Sequence, residues 1–207
     1  MSFRLEEKIS YKNFDVFEFK KWLIYNNAKS LFPSRVINSI YFDNNFKMYD
    51  DSVEGTVPRK KIRVRTYSTN NFFSSQKNFK KEIKHTYYNY RSKKTNKFVF
   101  DKNNFFVGIY DQDYGNCKPI LNVVYQRSYF KIFNIRLTLD ENITYRKINN
   151  RSLSNISMRD KEYVVELKTG NINNIDFLKE MFPIPRTRFS KYCRGIEFTK
   201  LNYCNEI

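Results

Sequence analysis

The chain has 207 residues, 41% of them hydrophobic and 18% aromatic, which is enough to bury a core and excludes a disordered basic tail. Its 38 lysines and arginines outnumber 21 aspartates and glutamates, and the resulting formal charge of +17 favours an anionic partner. A single histidine and three scattered cysteines exclude a zinc site and a conventional histidine-based triad.

Composition also limits the compartment and the kind of phosphate site. The first ten residues carry charges without the apolar run of a signal peptide, and no stretch reaches the roughly 18 apolar residues of a membrane span. Scattered cysteines fit reduced thiols, so we expect a cytoplasmic protein. The five glycines are too dispersed for a Walker loop or a GxGxxG turn, so side chains must bind any phosphate. The Lys-rich and Asn-rich composition also fits AT-rich codon usage, so charge alone leaves binding undecided.

Helical patterns are few. A helix is predicted from Asn13 to about Ser30, with apolar residues near helical spacing and an end ahead of Pro33. Shorter helices are predicted over Asp101–Tyr110 and Asn174–Phe182, each opened by a residue that can cap an N-terminus. Residues 146–160 are polar and are predicted to form a surface loop between two strands. No repeat or linker divides the chain, which predicts one domain over residues 1–207.

The remaining segments alternate between apolar and charged residues, as strands do. Ile62 and Val64 fall on one face of a predicted strand, while Arg63 and Arg65 fall on the other. The same alternation recurs at residues 3–9, 135–140 and 163–168. An ordinary antiparallel sheet with its charged face in water would give this pattern. However, these faces favour arginine and set carboxylates between cations, which is typical of a binding site.

This alternation predicts a fold class. If the strands close into a barrel with helices covering its apolar outside, every charged face converges on the lumen. We therefore expect an α+β fold, mainly antiparallel β, that forms a closed β-barrel tunnel with helices packed on the outside. The lumen would be lined with arginine and lysine.

Eight short motifs occur in the order in which one known family has them, over nearly the full length of the chain. They are Arg4-x-Glu6-x-Lys8, Ser39-Ile40-Tyr41-Phe42-Asp43, Lys61-Ile62-Arg63-Val64-Arg65-x-Tyr67, Glu82-x-Lys84, Tyr125-Gln126-Arg127, Arg136-x-Thr138-x-Asp140, Glu166-x-Lys168 and Ser190-Lys191-Tyr192-x-Arg194-Gly195. Each motif alone is weak, because E-x-K occurs by chance in any Lys-rich protein. In this order, they resemble the VTC domain of polyphosphate polymerases, within the triphosphate tunnel metalloenzyme and CYTH-like group.

The resemblance implies a polymerase that transfers the γ-phosphate of ATP onto a polyphosphate chain, releasing ADP, with Mn²⁺ or Mg²⁺ as the metal. Five residues match the family's catalytic basic residues: Arg63, Arg65, Lys84, Arg127 and Arg136. Three more match its phosphate-binding positions: Lys8, Lys168 and Lys191. Arginine suits this chemistry because its planar fork can hold two phosphate oxygens at once.

Glutamates provide the candidate metal ligands. Glu166 matches the family's metal-binding glutamate, and oxygen ligands in a phosphate-rich site suit Mg²⁺ or Mn²⁺. Glu6 and Glu82 have the same strand parity as the predicted lumenal cations and are further candidates. Either one, like Asp140, could instead hold neighbouring cations apart and keep them oriented.

Two other functions stay open. A triphosphate hydrolase on the same fold would use the same basic lumen, with water in place of the phosphate acceptor. A non-catalytic binder of polyphosphate or nucleic acid would also fit the charge and the abundant aromatic residues. Nucleic acid is the weaker partner, because the arginines alternate within strands and do not cluster on an exposed patch.

Overall fold

A computed structural model describes residues 5–11, 13–67, 78–88, 90–99, 101–149, 152–169 and 189–201, with side chains from Val16 onward except those of 102–104 and 201. Its strands are β1 (Leu5–Tyr11), β2 (Lys29–Asp43), β3 (Arg59–Thr66), β4 (Phe79–Thr86), β5 (Arg91–Phe98), β6 (Ile109–Asp111), β7 (Gly115–Ile132), β8 (Ile135–Asn149), β9 (Ser152–Arg159) and β10 (Tyr163–Thr169). Its helices are α1 (Asn13–Tyr25), α2 (Lys47–Glu54), α3 (Lys102–Val107) and α4 (Lys191–Leu201).

The strands form one hydrogen-bonded order, β1-β10-β8-β7-β2-β3-β4-β5, with β6 beside β7 and β9 beside β8. Every strand pair whose register is defined is antiparallel. The expectation of a mainly antiparallel fold with few helices is therefore confirmed. Within the described ranges, β1 and β5 end this order without pairing to each other, so closure into a barrel stays a prediction.

The chain divides into two compact units. The first comprises Met1–Arg35, Tyr125–Ile143 and Arg159–Phe189, and the second comprises Val36–Val124, Thr144–Met158 and Ser190–Ile207. Strands β2, β7, β8 and β9 contribute residues to both units. The expectation of a single domain stays a prediction. None of the helices in the described ranges is long and apolar enough to cross a membrane.

In the first unit, helix α1 covers the apolar face of β8 and β10. Val16, Phe19 and Leu23 of the helix are buried in one cluster with the alternate residues of these strands. The strand members are Ile135, Leu137, Leu139, Val165 and Leu167, joined by Ile132 of β7. Each such side chain stabilises the fold by roughly 1.5–3 kcal/mol when fully buried. The predicted apolar faces of these strands are thus confirmed.

Helix α1 ends at Tyr25, so the predicted end near Ser30 was wrong. Asn27 adopts a left-handed conformation with φ 52°. The N–H of Ala28 donates to Leu23 O at 2.9 Å, and the N–H of Asn27 donates to Ile24 O at 3.0 Å. These two bonds form a Schellman motif, which satisfies the last carbonyls and stops the helix. The chain can then enter β2 at Lys29.

Two further predictions need correction. The helix predicted over Asp101–Tyr110 is shorter, because α3 ends at Val107, just before Gly108, where φ is 113° and an added Cβ would lie 2.7 Å from Cys117 O. Part of the loop predicted over residues 146–160 is instead strand, since β8 runs to Asn149 and β9 pairs with it. The prediction was wrong there because it took polar side chains as a sign of a loop. A mostly exposed strand can carry polar side chains on both faces and still pair through its backbone. The helix predicted over Asn174–Phe182 lies outside the described residues.

In the second unit, Asp43 fixes helix α2 at the end of β2. Its Oδ1 accepts from Met48 N at 3.0 Å and its Oδ2 from Tyr49 N at 3.1 Å, which satisfies two free N–H groups of the first turn. Helix α4 packs closely on the sheet at Gly195, where a Cβ would lie 2.6 Å from Leu121 Cδ2. Together these contacts position the residues of α4 beside the second unit's basic strands.

Candidate functional site

One face of β3, β4 and β5, in the second unit, is almost entirely basic. The register places Arg63 opposite Glu82 and Glu82 opposite Thr95, and residues paired in this way share a face of the sheet. Within the described residues of these strands, this face carries nine cations and one carboxylate, Glu82. The cations are Arg59, Lys61, Arg63, Arg65, Lys80, Lys84, Arg91, Lys93 and Lys97.

Glu82 lies at the centre of this face and has no exposed surface. Its Oε2 accepts from Arg63 Nη2 at 2.7 Å, while its Oε1 lies 2.9 Å from Arg65 Nη2 and 2.6 Å from Lys93 Nζ. We call these four residues the Glu82 cluster. Three cations against one carboxylate leave it with a net charge of +2. A ligand with several negative charges would balance it.

The pKa values within the Glu82 cluster follow from this arrangement. Burial alone would raise the pKa of Glu82, but Arg63, Arg65 and Lys93 together lower it to about 2. The pKa of Lys93 is also lowered, because burial and repulsion from both arginines outweigh the attraction of Glu82. Glu82 is therefore ionised at neutral pH. An additional negative charge nearby would stabilise the charged form of Lys93.

A second layer of aromatic residues holds Arg63 in place. Arg63 Nη1 donates to the Tyr41 hydroxyl at 3.2 Å, and the Tyr41 ring lies 5.1 Å from the ring of Tyr192 in α4. The Tyr192 hydroxyl in turn donates to Asp43 Oδ2. Burial and the negative charge of Asp43 raise the pKa of Tyr192, so the phenol stays protonated. Lys61 reaches the residue just before the same helix, with its Nζ donating to Ser190 Oγ at 3.0 Å.

A second cluster lies within the first unit, around Glu166. Arg127 binds Asp140 with two bonds, Nε to Oδ1 at 2.5 Å and Nη2 to Oδ2 at 2.7 Å, and this bidentate geometry fixes the guanidinium. The same Nη2 lies 3.5 Å from Glu166 Oε2, and Lys168 Nζ lies 3.3 Å from Glu166 Oε1. These four residues are the Glu166 cluster. Glu166 is held loosely by comparison with Asp140 and Glu82.

The sequence-predicted residues are thus distributed over the two units. In the second unit, Arg63, Arg65, Glu82 and Lys84 share the basic face, and Lys191 begins α4. In the first unit, Arg127, Glu166 and Lys168 are in contact. Arg136 is paired with Lys168 in the strand register and lies over the Tyr129 ring at 5.5 Å. The backbones of Lys8 and Glu6 pair with Glu166 and Lys168, but their side chains lie outside the described part of the chain.

Sequence reasoning missed Lys93, which is one of the three cations on Glu82. Strand β5 is exposed on nearly every residue and has no apolar face, so the alternation that revealed the other strands is absent from it. Only the register, with Lys93 opposite Lys84, assigns it to the basic face. Arg91, Lys93 and Lys97, all at odd-numbered positions, fall on one face of this strand, and the pairing of β5 with β4 joins that face to Lys84 and Glu82.

The Glu166 cluster is the better of the two for a divalent metal. Within the described residues, no three His, Cys, Asp or Glu side chains come together as a ready-made metal site. Glu82 already binds three cations with both of its oxygens. Glu166, in contrast, pairs in the register with Thr138, whose buried Oγ1 has no hydrogen-bond partner among the described residues. A carboxylate with a nearby hydroxyl fits Mg²⁺ or Mn²⁺, which take one or two carboxylates and complete their shell with water and substrate phosphates.

Two of the solved structures that share this fold illustrate the similarity. One, from Bacillus halodurans, is named as a "putative adenylate cyclase"; it has a TM-score of 0.59 and 10% identity, covering 92% of this chain and 96% of that chain. The other, from Vibrio parahaemolyticus and named in the same way, has a TM-score of 0.51 and 12% identity, covering 91% and 95%. At such low identity the similarity concerns the fold alone. No curated protein matches the chain.

The antiparallel sheet and its basic face define a mainly antiparallel β protein with a surface suited to a polyanion. The family model of the VTC domain matches residues 3–200. The chain therefore belongs to the VTC domain family, which confirms the resemblance drawn from its ordered motifs.

Proposed function

We propose that the protein is a polyphosphate polymerase-like phosphotransferase, which moves the γ-phosphate of ATP onto a polyphosphate chain inside a closed, basic tunnel. The observation that carries the proposal is the face of β3–β5, where nine cations surround one buried carboxylate. A surface that only keeps a protein soluble does not need arginines locked by a buried glutamate. A linear polyanion, however, needs a row of fixed positive charges along its length.

The reaction asks little covalent chemistry of the protein. A terminal oxygen of the polyphosphate attacks the γ-phosphorus of ATP, a new P–O bond forms, the bond to the β–γ bridging oxygen breaks, and ADP leaves. Enzymes accelerate this step mainly by in-line positioning and by stabilising charge on the transferred group. No side-chain nucleophile is required, which suits a site of arginines and lysines.

Arg63 and Arg65 are assigned the role of binding phosphate oxygens. Glu82 fixes one edge of each guanidinium, with Arg63 also bound to Tyr41, so the cations are oriented before a ligand arrives. Such preorganisation avoids a reorganisation cost when charge develops in the transition state. Arg127, fixed by Asp140, has the same character in the first unit. Lys84, Lys168 and Lys191 serve as mobile point charges.

A divalent metal is part of the proposal. Glu166, with the Thr138 hydroxyl beside it in the register, would hold Mn²⁺ or Mg²⁺. The bound metal would neutralise charge on the phosphate oxygens. Lys168, which contacts Glu166 at 3.3 Å, would then be released toward the substrate, while Arg127 would stay fixed by Asp140.

Incubation with ATP and Mn²⁺, with and without a tripolyphosphate primer, tests the proposal. A ladder of polyphosphate chains on a gel supports the polymerase. Release of orthophosphate without polymer would instead support a triphosphate hydrolase on the same fold. Because the two solved structures described above are each named as a "putative adenylate cyclase", the mixture is also analysed for cyclic AMP. Tight binding of polyphosphate with no turnover of ATP would indicate a non-catalytic binder.

A further inference from the structure

Three buried polar atoms in and beside the Glu82 cluster have no hydrogen-bond partner among the described residues. They are Ser39 Oγ, Arg65 Nε and Glu82 Oε1. Glu82 Oε1 already lies within ion-pair distance of Arg65 and Lys93, which leaves the other two atoms to be explained. Ser39 is fully buried, and the register of β2 and β3 places it directly opposite Arg65. Buried polar groups are nearly always hydrogen-bonded, because leaving one without a partner costs free energy. Two such atoms on paired residues therefore indicate a third participant.

The geometry of Arg65 restricts where that participant binds. Its Nη2 lies 2.9 Å from Glu82 Oε1, and the Tyr67 ring lies 5.0 Å from the guanidinium carbon. These two contacts fix the orientation of the guanidinium, and its Nε–H, which makes no hydrogen bond within the described residues, can donate to another acceptor. Residues paired across antiparallel strands have Cβ atoms about 5 Å apart, so the Ser39 hydroxyl lies on the same side of the sheet as the Arg65 side chain.

The chemistry of the two atoms restricts what binds. An arginine N–H can only donate, and a serine hydroxyl can donate as well, so the missing group is a hydrogen-bond acceptor. A metal ion is excluded, because the site lies beside a guanidinium in a cluster of net charge +2. An oxygen that carries negative charge satisfies both donors and balances the cluster.

We infer that Ser39 Oγ and Arg65 Nε together bind a phosphate oxygen of the substrate, which makes Ser39 a ligand-contacting residue of this site. The inference rests on the proposed function, since it takes polyphosphate or a nucleoside triphosphate as the ligand. Ser39 Oγ is covered in the ligand-free fold, so binding includes a rearrangement of the side chains around it. Lys93, 40% exposed at the edge of the cluster, is the member with the most freedom to move.

Ser39→Ala tests the inference, with Ser52→Ala as a matched control. Both serines are buried in the second unit, but the Ser52 hydroxyl donates to Met48 O at 2.7 Å, whereas that of Ser39 has no such bond. Without ligand, Ser39→Ala should therefore keep or raise the thermal midpoint, and Ser52→Ala should lower it. In the binding of inorganic tripolyphosphate, Ser39→Ala should be the more strongly affected of the two variants. By isothermal titration calorimetry, Ser39→Ala should bind about tenfold more weakly and Ser52→Ala as tightly as the unmodified protein.

Salt dependence adds an independent readout. Ser39→Ala changes no charge, so the slope of log Kd against log salt should equal that of the unmodified protein, with only the affinity lowered. Unchanged affinity in Ser39→Ala would overturn the inference. A fall in its thermal midpoint as large as that of Ser52→Ala would overturn it too, because the hydroxyl would then be structural. If the unmodified protein itself fails to bind tripolyphosphate, the proposed function fails, and the inference fails with it.

Discussion

Glu82→Gln removes the carboxylate that Arg63, Arg65 and Lys93 share, and leaves three cations facing one another in a buried site. Breaking a buried ion pair by removing one partner costs roughly 3–5 kcal/mol. The pKa of Glu82 gives a similar size: a fall from 4.5 to about 2 corresponds to a stabilisation on the order of 3 kcal/mol at neutral pH. We therefore expect the variant to lose about 3 kcal/mol of unfolding free energy.

An anion should restore much of this loss, because it can take the place of the missing carboxylate. Urea unfolding at pH 7, with and without tripolyphosphate, measures both effects. The difference between Glu82→Gln and the unmodified protein should shrink when the anion is present. Glu141→Gln is the control, since Glu141 pairs with the half-exposed Lys20 and such pairs are worth about 0–1 kcal/mol. A loss in Glu82→Gln no larger than the control's, or an unchanged difference with tripolyphosphate, would refute the reasoning.

Three further variants or conditions test other parts of the structure. Arg63→Lys keeps the charge but loses the planar fork, so turnover should fall at least about tenfold in a variant that still folds, with some loss of stability because the bonds to Glu82 and Tyr41 are weakened; near-normal activity would contradict bidentate positioning. As pH falls below 4.5, Glu82 binds a proton in the unfolded chain before it does so in the folded protein, so the stability that ionised Glu82 contributes should disappear toward pH 2. Urea unfolding across this range should show a loss of about 3 kcal/mol in the unmodified protein that Glu82→Gln lacks. Tyr192→Phe removes the hydroxyl bound to Asp43 and should cost about 1–3 kcal/mol in urea unfolding, whereas Tyr25→Phe, at a residue 85% exposed, should cost nothing measurable.

The sequence predicted the strands that have one apolar face, because side chains of a strand point alternately to its two sides. Arg63 and Arg65 were assigned to the charged face for this reason, and the burial of Ile62 and Val64 confirms it. The family resemblance added the order of the motifs. What pattern alone could not provide is which strands are neighbours, since this depends on long-range pairing.

Sequence reasoning missed the features that depend on backbone pairing and backbone conformation. Lys93 belongs to the Glu82 cluster only because β5 pairs with β4, and β5 itself has no apolar face. The polar side chains of β9 predict a loop, although its backbone pairs with β8. The end of α1 depends on a left-handed Asn27, a conformation that many asparagines do not adopt. In each case a backbone interaction decided the structure, and side-chain chemistry alone did not reveal it.

The balance of products from ATP tests the proposed function most directly. ADP, orthophosphate and acid-stable polymeric phosphate are measured together in a reaction with Mn²⁺, for the unmodified protein and for Arg63→Lys. We expect one phosphate in polymer for each ADP released, at a rate that falls at least about tenfold in the variant. One orthophosphate for each ADP, with no polymer at any primer concentration, would contradict the polymerase.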